Sequence, residues 1–348
     1  TGSGMSLAEL DSVFLVIGTN SRKTEVDSAI NSGRAGVPFL GEKGIGRLSA
    51  MRLGEKLNVR TAKKADKDFN LIAIDWSAFD DPSKLIEDII VKPKKGNQKK
   101  SPDYSGTDIK IRKLNSDWSE KRVDRLAIDE FSLLSNPIGQ KKGTRIAVYW
   151  NDKRVNFKRL ERDFLSHAHA VVKGVYRMAG GDPELELRIE LADLGFKHPK
   201  EISIEKATAS DLRSALVGSR TKRRRMSKRD IDYDALHRVG PFDFELHWFN
   251  RKTLRKGRST GESQALINLL DQWMGVRLYR DDFRVYPYGS EDDDWLELDK
   301  TALRSKGYAL NRIQIIGQVE IGRISNSELI DQTNREGLRQ TPEEAILR

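Results

Sequence analysis

The chain has no cysteine in its 348 residues. Disulfide scaffolds, thiolate metal sites and cysteine nucleophiles are therefore all excluded. Histidine is scarce too, with five in all. Only His167 and His169 stand close together, a spacing that suits surface or cap positions better than metal ligation. No apolar run reaches the ~18 residues that a membrane-spanning helix needs. We therefore expect a soluble, cytoplasmic chain without membrane contact.

Charge, by contrast, is plentiful: 62 Lys and Arg stand against 52 Asp and Glu, a formal net charge of +10. Such an excess favours a polyanionic partner. Much of it sits in two runs. Lys92, Lys94, Lys95, Lys99 and Lys100 lie in a Pro/Gly/Asn/Gln-rich stretch that reads as an exposed loop. Arg220, Lys222, Arg223, Arg224, Arg225, Lys228 and Arg229 form a denser block. Charge runs are usually solvated faces, but the arginine density makes the second block the better nucleic-acid candidate.

The length allows two domains with separate cores. Ser6-Leu7-Ala8-Glu9 has the pattern of a capping box, and Leu7, Leu10, Val13, Phe14 and Ile17 follow at helical spacing up to Gly18. The polar segment Thr19 to Pro38 has the composition of a mobile cover over a pocket. It leads to Gly41-Glu42-Lys43-Gly44-Ile45-Gly46-Arg47, a glycine-rich turn running into a helix-like segment that we expect to continue to about Lys56. Closely spaced glycines let the backbone approach a ligand, and free N–H groups at a helix start bind anions, so this is phosphate-binding chemistry. A plain structural turn has the same composition.

Alternating patterns then predict strands at Leu57–Ala62, Phe69–Trp76 and Thr107–Leu114. A helix is expected from about Asp117, stopped by Asn136-Pro137. Further on, the patterns predict a strand at Thr144–Trp150, a mostly helical segment from Val155 to about Tyr176, and a strand at Glu184–Leu191. The last third reads as a strand at Phe242–Trp248 and a helix through Leu266, Leu269, Leu270 and Trp273 closed by Gly275. A hairpin follows around Arg280-Asp281-Asp282, then the strand Ile313–Ile321 and a final helix from Thr341. The acidic run Glu291 to Asp294 reads as a solvated loop rather than a metal site.

With these pieces in place, the chain resembles the GHKL ATPase superfamily, which includes gyrase, HtpG-type chaperones, histidine kinases and MutL, and within it the prokaryotic relatives of the MORC ATPases. Thr1-Gly2-Ser3-Gly4-Met5 is similar to the first glycine motif, Asp-x-Gly-x-Gly-Met, without its aspartate. The segment containing Ser21-Arg22-Lys23 resembles the ATP lid. Gly41, Gly44 and Gly46 resemble the second glycine motif, and Ser49-Ala50-Met51-Arg52-Leu53-Gly54 is MORC-like. Gly106-Thr107 is similar to the strand threonine that closes the adenine pocket.

The resemblance implies an α+β fold: a GHKL (Bergerat) α/β sandwich over residues 1–137, a connecting region with the basic block over 138–240, and an α/β transducer domain over 241–348. It implies ATP and Mg²⁺ as ligands, contacted by Gly2, Gly4, Met5, Lys23, Gly41, Lys43, Gly44, Ile45, Gly46, Arg47 and Thr107. Asn334-Arg335-Glu336 resembles the place from which a transducer basic residue reaches the γ-phosphate, so Arg335 is the catalytic candidate. The implied activity is an ATP-driven switch whose heads dimerise around DNA or a partner protein, in a defence or DNA-maintenance setting. A non-hydrolysing scaffold and an HtpG-like chaperone are the alternatives. The family's glutamate base and Mg²⁺-binding asparagine belong to a helix before the first glycine motif, and the expectation is that the sequence begins inside the domain.

Overall fold

A computed structural model of the chain describes residues 2–14, 50, 53–79, 90–131, 134, 136, 138, 146–156, 160, 162–191, 200–223, 232–254, 260–304, 310–332 and 337–348. The fold is mixed α and β with several sheets, as the α+β expectation has it. It divides into two compact units, Thr1–Ser119 and Glu120–Arg348. The expected breaks at 137 and 240 both fall inside the second. Among the described residues no helix is long and apolar enough to cross a membrane.

The first unit is built on an antiparallel sheet of β1 (Gly54–Ala62), β2 (Asp68–Asp75), β3 (Lys94–Gln98) and β4 (Gly106–Leu114), in the order β3-β2-β1-β4. Side chains alternate along a strand, so the register fixes which residues share a face. Leu57 stands between Ile74 and Ile111, Val59 between Ile72 and Ile109, and Thr61 between Asn70 and Thr107. Two apolar rows are thus followed by one polar row. Leu10, Leu57, Val59, Ile72 and Ile74 form the core on this face, with Met5, Phe14 and Trp76 packed against it. The opposite face carries ion pairs: Lys56 with Asp75 at 2.8 Å, and Arg60 with Asp108. The Arg60 guanidinium also lies 4.6 Å from the Phe69 ring centroid.

Two local expectations change here. The helix expected to run to about Lys56 gives way to strand at Gly54. The lysine-rich stretch is not all loop, because Lys94–Gln98 pairs with β2 as an edge strand. Lysines on an edge discourage pairing with foreign strands, and two lysines of the stretch, Lys95 on the strand and Lys99 just beyond its end, have inward partners. Lys95 Nζ donates to Asn70 Oδ1 at 2.8 Å. Lys99 is buried, its ammonium donating to the carbonyls of Lys63, Lys64, Pro102 and Tyr104 at 2.9–3.1 Å.

The second unit centres on a seven-stranded sheet in the order β12-β11-β13-β10-β7-β8-β9. Its strands are β7 (Ala170–Ala179), β8 (Asp182–Leu191), β9 (Lys200–Ala207), β10 (Phe242–Trp248), β11 (Gly275–Arg280), β12 (Phe283–Val285) and β13 (Ile315–Ile321), while β5 (Val148–Trp150) and β6 (Lys153–Val155) form a separate hairpin. Pairing is antiparallel throughout except between β11 and β13. Strands from the expected connecting region and the expected transducer region therefore share one sheet. Both faces are apolar. Ile315, Val319 and Ile321 of β13 join Val276, Leu278, Trp295 and Leu329 in one cluster, and Ile316 joins Phe164, Phe249, Leu270 and Trp273 in another.

Most of the segment from Val155 to Tyr176 is not helical. A single turn at Arg162–Leu165 is followed by β7. The valines 171, 172 and 175 suit a pleated surface, and ten-residue pairing with β8 outweighs the local helical spacing. The hairpin at Asp281-Asp282 forms as expected, both residues having positive φ of 49° and 68°, as a two-residue hairpin turn requires. Asp294 in the acidic run accepts from the N–H groups of Leu298, Asp299 and Lys300, and so caps a helix start.

Candidate functional site

Of the expected ligand contacts, Gly2, Gly4, Met5 and Thr107 lie among the described residues. Lys23, Gly41, Lys43, Gly44, Ile45, Gly46, Arg47 and Arg335 lie outside them, as do Arg224, Arg225, Lys228 and Arg229 of the basic block. Arg220, Lys222 and Arg223 belong to the helix Ala209–Arg223. Met5 and Thr107, about a hundred residues apart in sequence, both meet Thr61 in the polar row of the first sheet, whereas a Cβ at Gly2 would face open space.

Three features of the sequence bring the N-terminal turn there. The capping box at Ser6 is formed: the Ser6 hydroxyl accepts from Glu9 N–H, and Glu9 accepts from Ser6 N–H at 2.7 Å. It satisfies N–H groups at the helix start that have no partner within the helix. Lys63 then donates to Glu9 at 2.7 Å, joining the helix start to the end of β1. The Lys63 hydrogen bond, reinforced by the Ser6 backbone N–H, holds the Glu9 carboxyl down to about 2. Finally, Gly4 has φ +71°, and a Cβ there would stand 1.9 Å from the Ala62 carbonyl oxygen. Only glycine lets the turn lie so close to the strand.

Met5 is held from both sides of its peptide. Its N–H donates to Thr61 Oγ1 at 2.9 Å, and its carbonyl accepts from Asn70 Nδ2 at 2.9 Å. Asn70, fully buried, is oriented in turn by Asp66 Oδ2 at 3.1 Å and by Lys95 Nζ. Asp66 also accepts from Lys63 N–H. On the other flank, Thr61 Oγ1 stands 3.0 Å from the Gly106 carbonyl oxygen and 2.7 Å from Thr107 Oγ1. Thr107 itself is exposed. Beside it on the same face of β4, Ile109 is 58% exposed although its neighbour Val59 is buried.

The result is a small platform with a rigid glycine turn on one side, an open hydroxyl in the middle and an uncovered isoleucine next to it. Chemically it can accept or donate one hydrogen bond to a planar ligand and cover one of its faces with apolar surface. The carboxylates held beside the turn, Glu9 and Asp66, are both committed to Lys63 and its neighbours. No cluster of three or more His, Asp or Glu that could hold a metal occurs among the described residues.

The sequence names Gly4, Met5 and Thr107 as candidates but not Thr61, Asn70 and Asp66, which the structure links to them by hydrogen bonds. A signal for two of them was available. In the alternations Leu57-Val59-Thr61 and Ile74-Ile72-Asn70, the inward positions turn polar at the same end of the sheet.

In the second unit a surface groove follows the helix Thr260–Trp273, lined by His167, Glu262, Leu266, Leu269 and Gln272. None of the expected site residues that are described lines it. His169 is buried, and its Nδ1 accepts from Asn250 N–H at 3.1 Å. No protein-family model matches the chain, and no curated protein matches it.

Proposed function

We propose that the chain belongs to an ATP-binding conformational switch of the GHKL type, with the Gly4-Met5 turn and Thr107 forming the base-binding part of its nucleotide pocket. One observation carries this reading. The glycine turn and the strand threonine, whose order along the chain suggested the family, lie on the two flanks of a single buried hydroxyl, Thr61. A turn present only to begin a helix has no need of a glycine pressed against the Ala62 carbonyl.

The described residues fit the adenine end of ATP. Thr107 offers a hydroxyl and Ile109 an apolar surface, while Gly4 lets the turn lie against the end of β1, where a Cβ would strike the Ala62 carbonyl. ATP supplies the phosphoanhydride whose cleavage drives the switch. The protein's part here is to orient the base and to keep the platform rigid through Asn70 and Asp66. For Mg²⁺ the described residues provide no ligand set, so no step is assigned to it. Under the same reading, the backbone at Gly44 and Gly46 holds the phosphates, and Arg335 stabilises charge on the transferred phosphoryl group. Closure of the lid and dimerisation then couple nucleotide state to partner binding, with DNA as the partner that the +10 charge favours.

Nucleotide binding and turnover by the full-length protein test the proposal. Saturable ATP binding with measurable phosphate release is expected, and Arg335→Ala should lower turnover much more than affinity. Absence of ATP binding sinks the reading. A second reading, a non-hydrolysing GHKL scaffold, has one observation in its favour: the carboxylates beside the platform are internally committed. It predicts binding without turnover.

A further inference from the structure

We propose that the ring of backbone carbonyls around the Lys99 ammonium is a monovalent-cation site that the chain fills from within, and that Lys99 thereby ties together the two turns flanking the polar row. This inference stands apart from the nucleotide reading above.

Lys99 is 7% exposed, and its Nζ has four oxygen partners: the carbonyls of Lys63, Lys64, Pro102 and Tyr104, at 2.9, 3.1, 3.0 and 3.0 Å. An ammonium carries three protons, so the converging carbonyls outnumber the directed hydrogen bonds it can make. Carbonyls gathered around a charge in this way are the chemistry by which filter rings replace the hydration shell of K⁺. The spacing excludes the common divalent ions, since Mg²⁺ needs oxygens at about 2.0–2.1 Å and Ca²⁺ at about 2.3–2.6 Å. Dipoles alone balance the charge. Asp66 accepts from Lys63 N–H and Asn70, Asp103 lies 3.3 Å from Lys64 Nζ, and neither of these acids is paired with Lys99. Without its carbonyls the buried ammonium would be strongly disfavoured.

The segments that supply the carbonyls give the ring its place in the fold. Lys63 and Lys64 follow β1 directly, and Lys63 donates from its backbone to Asp66 and from its side chain to Glu9. Pro102 and Tyr104 lead into Gly106-Thr107 at the start of β4, and the Tyr104 ring meets Phe69 edge-on at 5.4 Å. Lys99 N–H itself donates to the Lys67 carbonyl at 2.9 Å. One ammonium thus fastens the turn that holds the start of the first helix to the loop that delivers Thr107.

Amide exchange of Lys99→Ala in the full chain, at one ionic strength set by tetramethylammonium, ammonium or potassium chloride, is the test. The Asp66 and Tyr104 amides report on the two turns, being bonded to the Lys63 and Ser101 carbonyls at 3.1 and 3.2 Å. In tetramethylammonium, which is too large for the ring, they should exchange about tenfold faster than in the wild type, the factor that 1.4 kcal/mol represents, while amides of β7 and β8 keep their protection. Ammonium or potassium at about 0.1 M should bring the rates back to within about threefold of the wild type, by mass action on the folded state. The wild type, with its site already filled, should not distinguish the three salts. Lys99→Met, which fills the ring with an apolar chain, should lose protection and regain it in none of them. A Lys99 that only occupies space would leave no cation response, so Lys99→Ala rates that match the wild type, or that are the same in all three salts, overturn the proposal. A Lys99→Met protein rescued by ammonium overturns it equally. If Lys99→Ala does not fold in tetramethylammonium, recovery of the fold on adding ammonium or potassium is the expected result, and failure to recover in either overturns the proposal. No nucleotide enters any of these measurements, so their failure leaves the nucleotide reading where it stands.

Discussion

The two units solve the problem of holding a sheet in different ways. In the second unit the seven-stranded sheet carries an apolar cluster on each face, and its largest side chains, among them Trp273, Phe249 and Tyr279, are buried almost completely. In the first unit one face of the four-stranded sheet carries the described core, and one end of that face is closed by hydrogen bonds among Met5, Thr61, Asn70, Asp66 and Thr107. Apolar packing is strong and indifferent to direction, whereas hydrogen bonds are directional and contribute modestly in net terms. The second unit is held by apolar packing on both faces of its sheet, and the described part of the first combines one apolar face with an oriented polar row.

Three substitutions sharpen or break that contrast. The largest effect is expected for Trp273→Ala, which empties a fully buried site and should cost about 3–5 kcal/mol in denaturant unfolding. A loss below about 1 kcal/mol would mean that this core is far looser than its burial implies. Next comes Gly4→Ala, which places a side chain at φ +71° against a backbone carbonyl and should cost about 2–3 kcal/mol. Its signature is local: the Met5 amide, now bonded to Thr61, should exchange with solvent much faster, while amides of β7 and β8 keep their protection. Equal loss of protection in both units would show that the N-terminal turn is no separate element.

The smallest effect belongs to Glu9→Gln. The folded carboxyl sits near 2, held down first by its hydrogen bond to Lys63. Because the folded value lies below the unfolded one of about 4.3, the stabilisation is present above that pH and is lost as the pH falls towards 2. The Glu9 side chain is 42% exposed, so screening reduces the contribution to about 1 kcal/mol. Unfolding titrations of wild type and Glu9→Gln should converge as the pH drops from about 4.5 to 2. Curves that stay parallel through that window would show that the Glu9–Lys63 pair contributes nothing to the turn.

Features that depend on neighbours along the chain were legible from residue order. The Ser6–Glu9 capping box, the β1 and β2 alternations, the turn at Asp281-Asp282 and the helix ending at Trp273 each follow from a local spacing, and each is present in the structure. Gly4, Met5 and Thr107 were likewise visible as candidates. Features that depend on distant partners were not. Val155 to Tyr176 has helical spacing, yet β8 and β10 draw most of its second half into a sheet. Lys94–Gln98 looks like loop, yet an open edge of β2 makes it a strand. Thr61 is one more threonine in an alternating segment until the fold sets Met5 on one side of its hydroxyl and Thr107 on the other. Spacing along a chain specifies periodicity, and periodicity specifies local conformation. Which lone pair faces which proton depends on strands brought together across about fifty residues, and those contacts exist only once the sheet has closed.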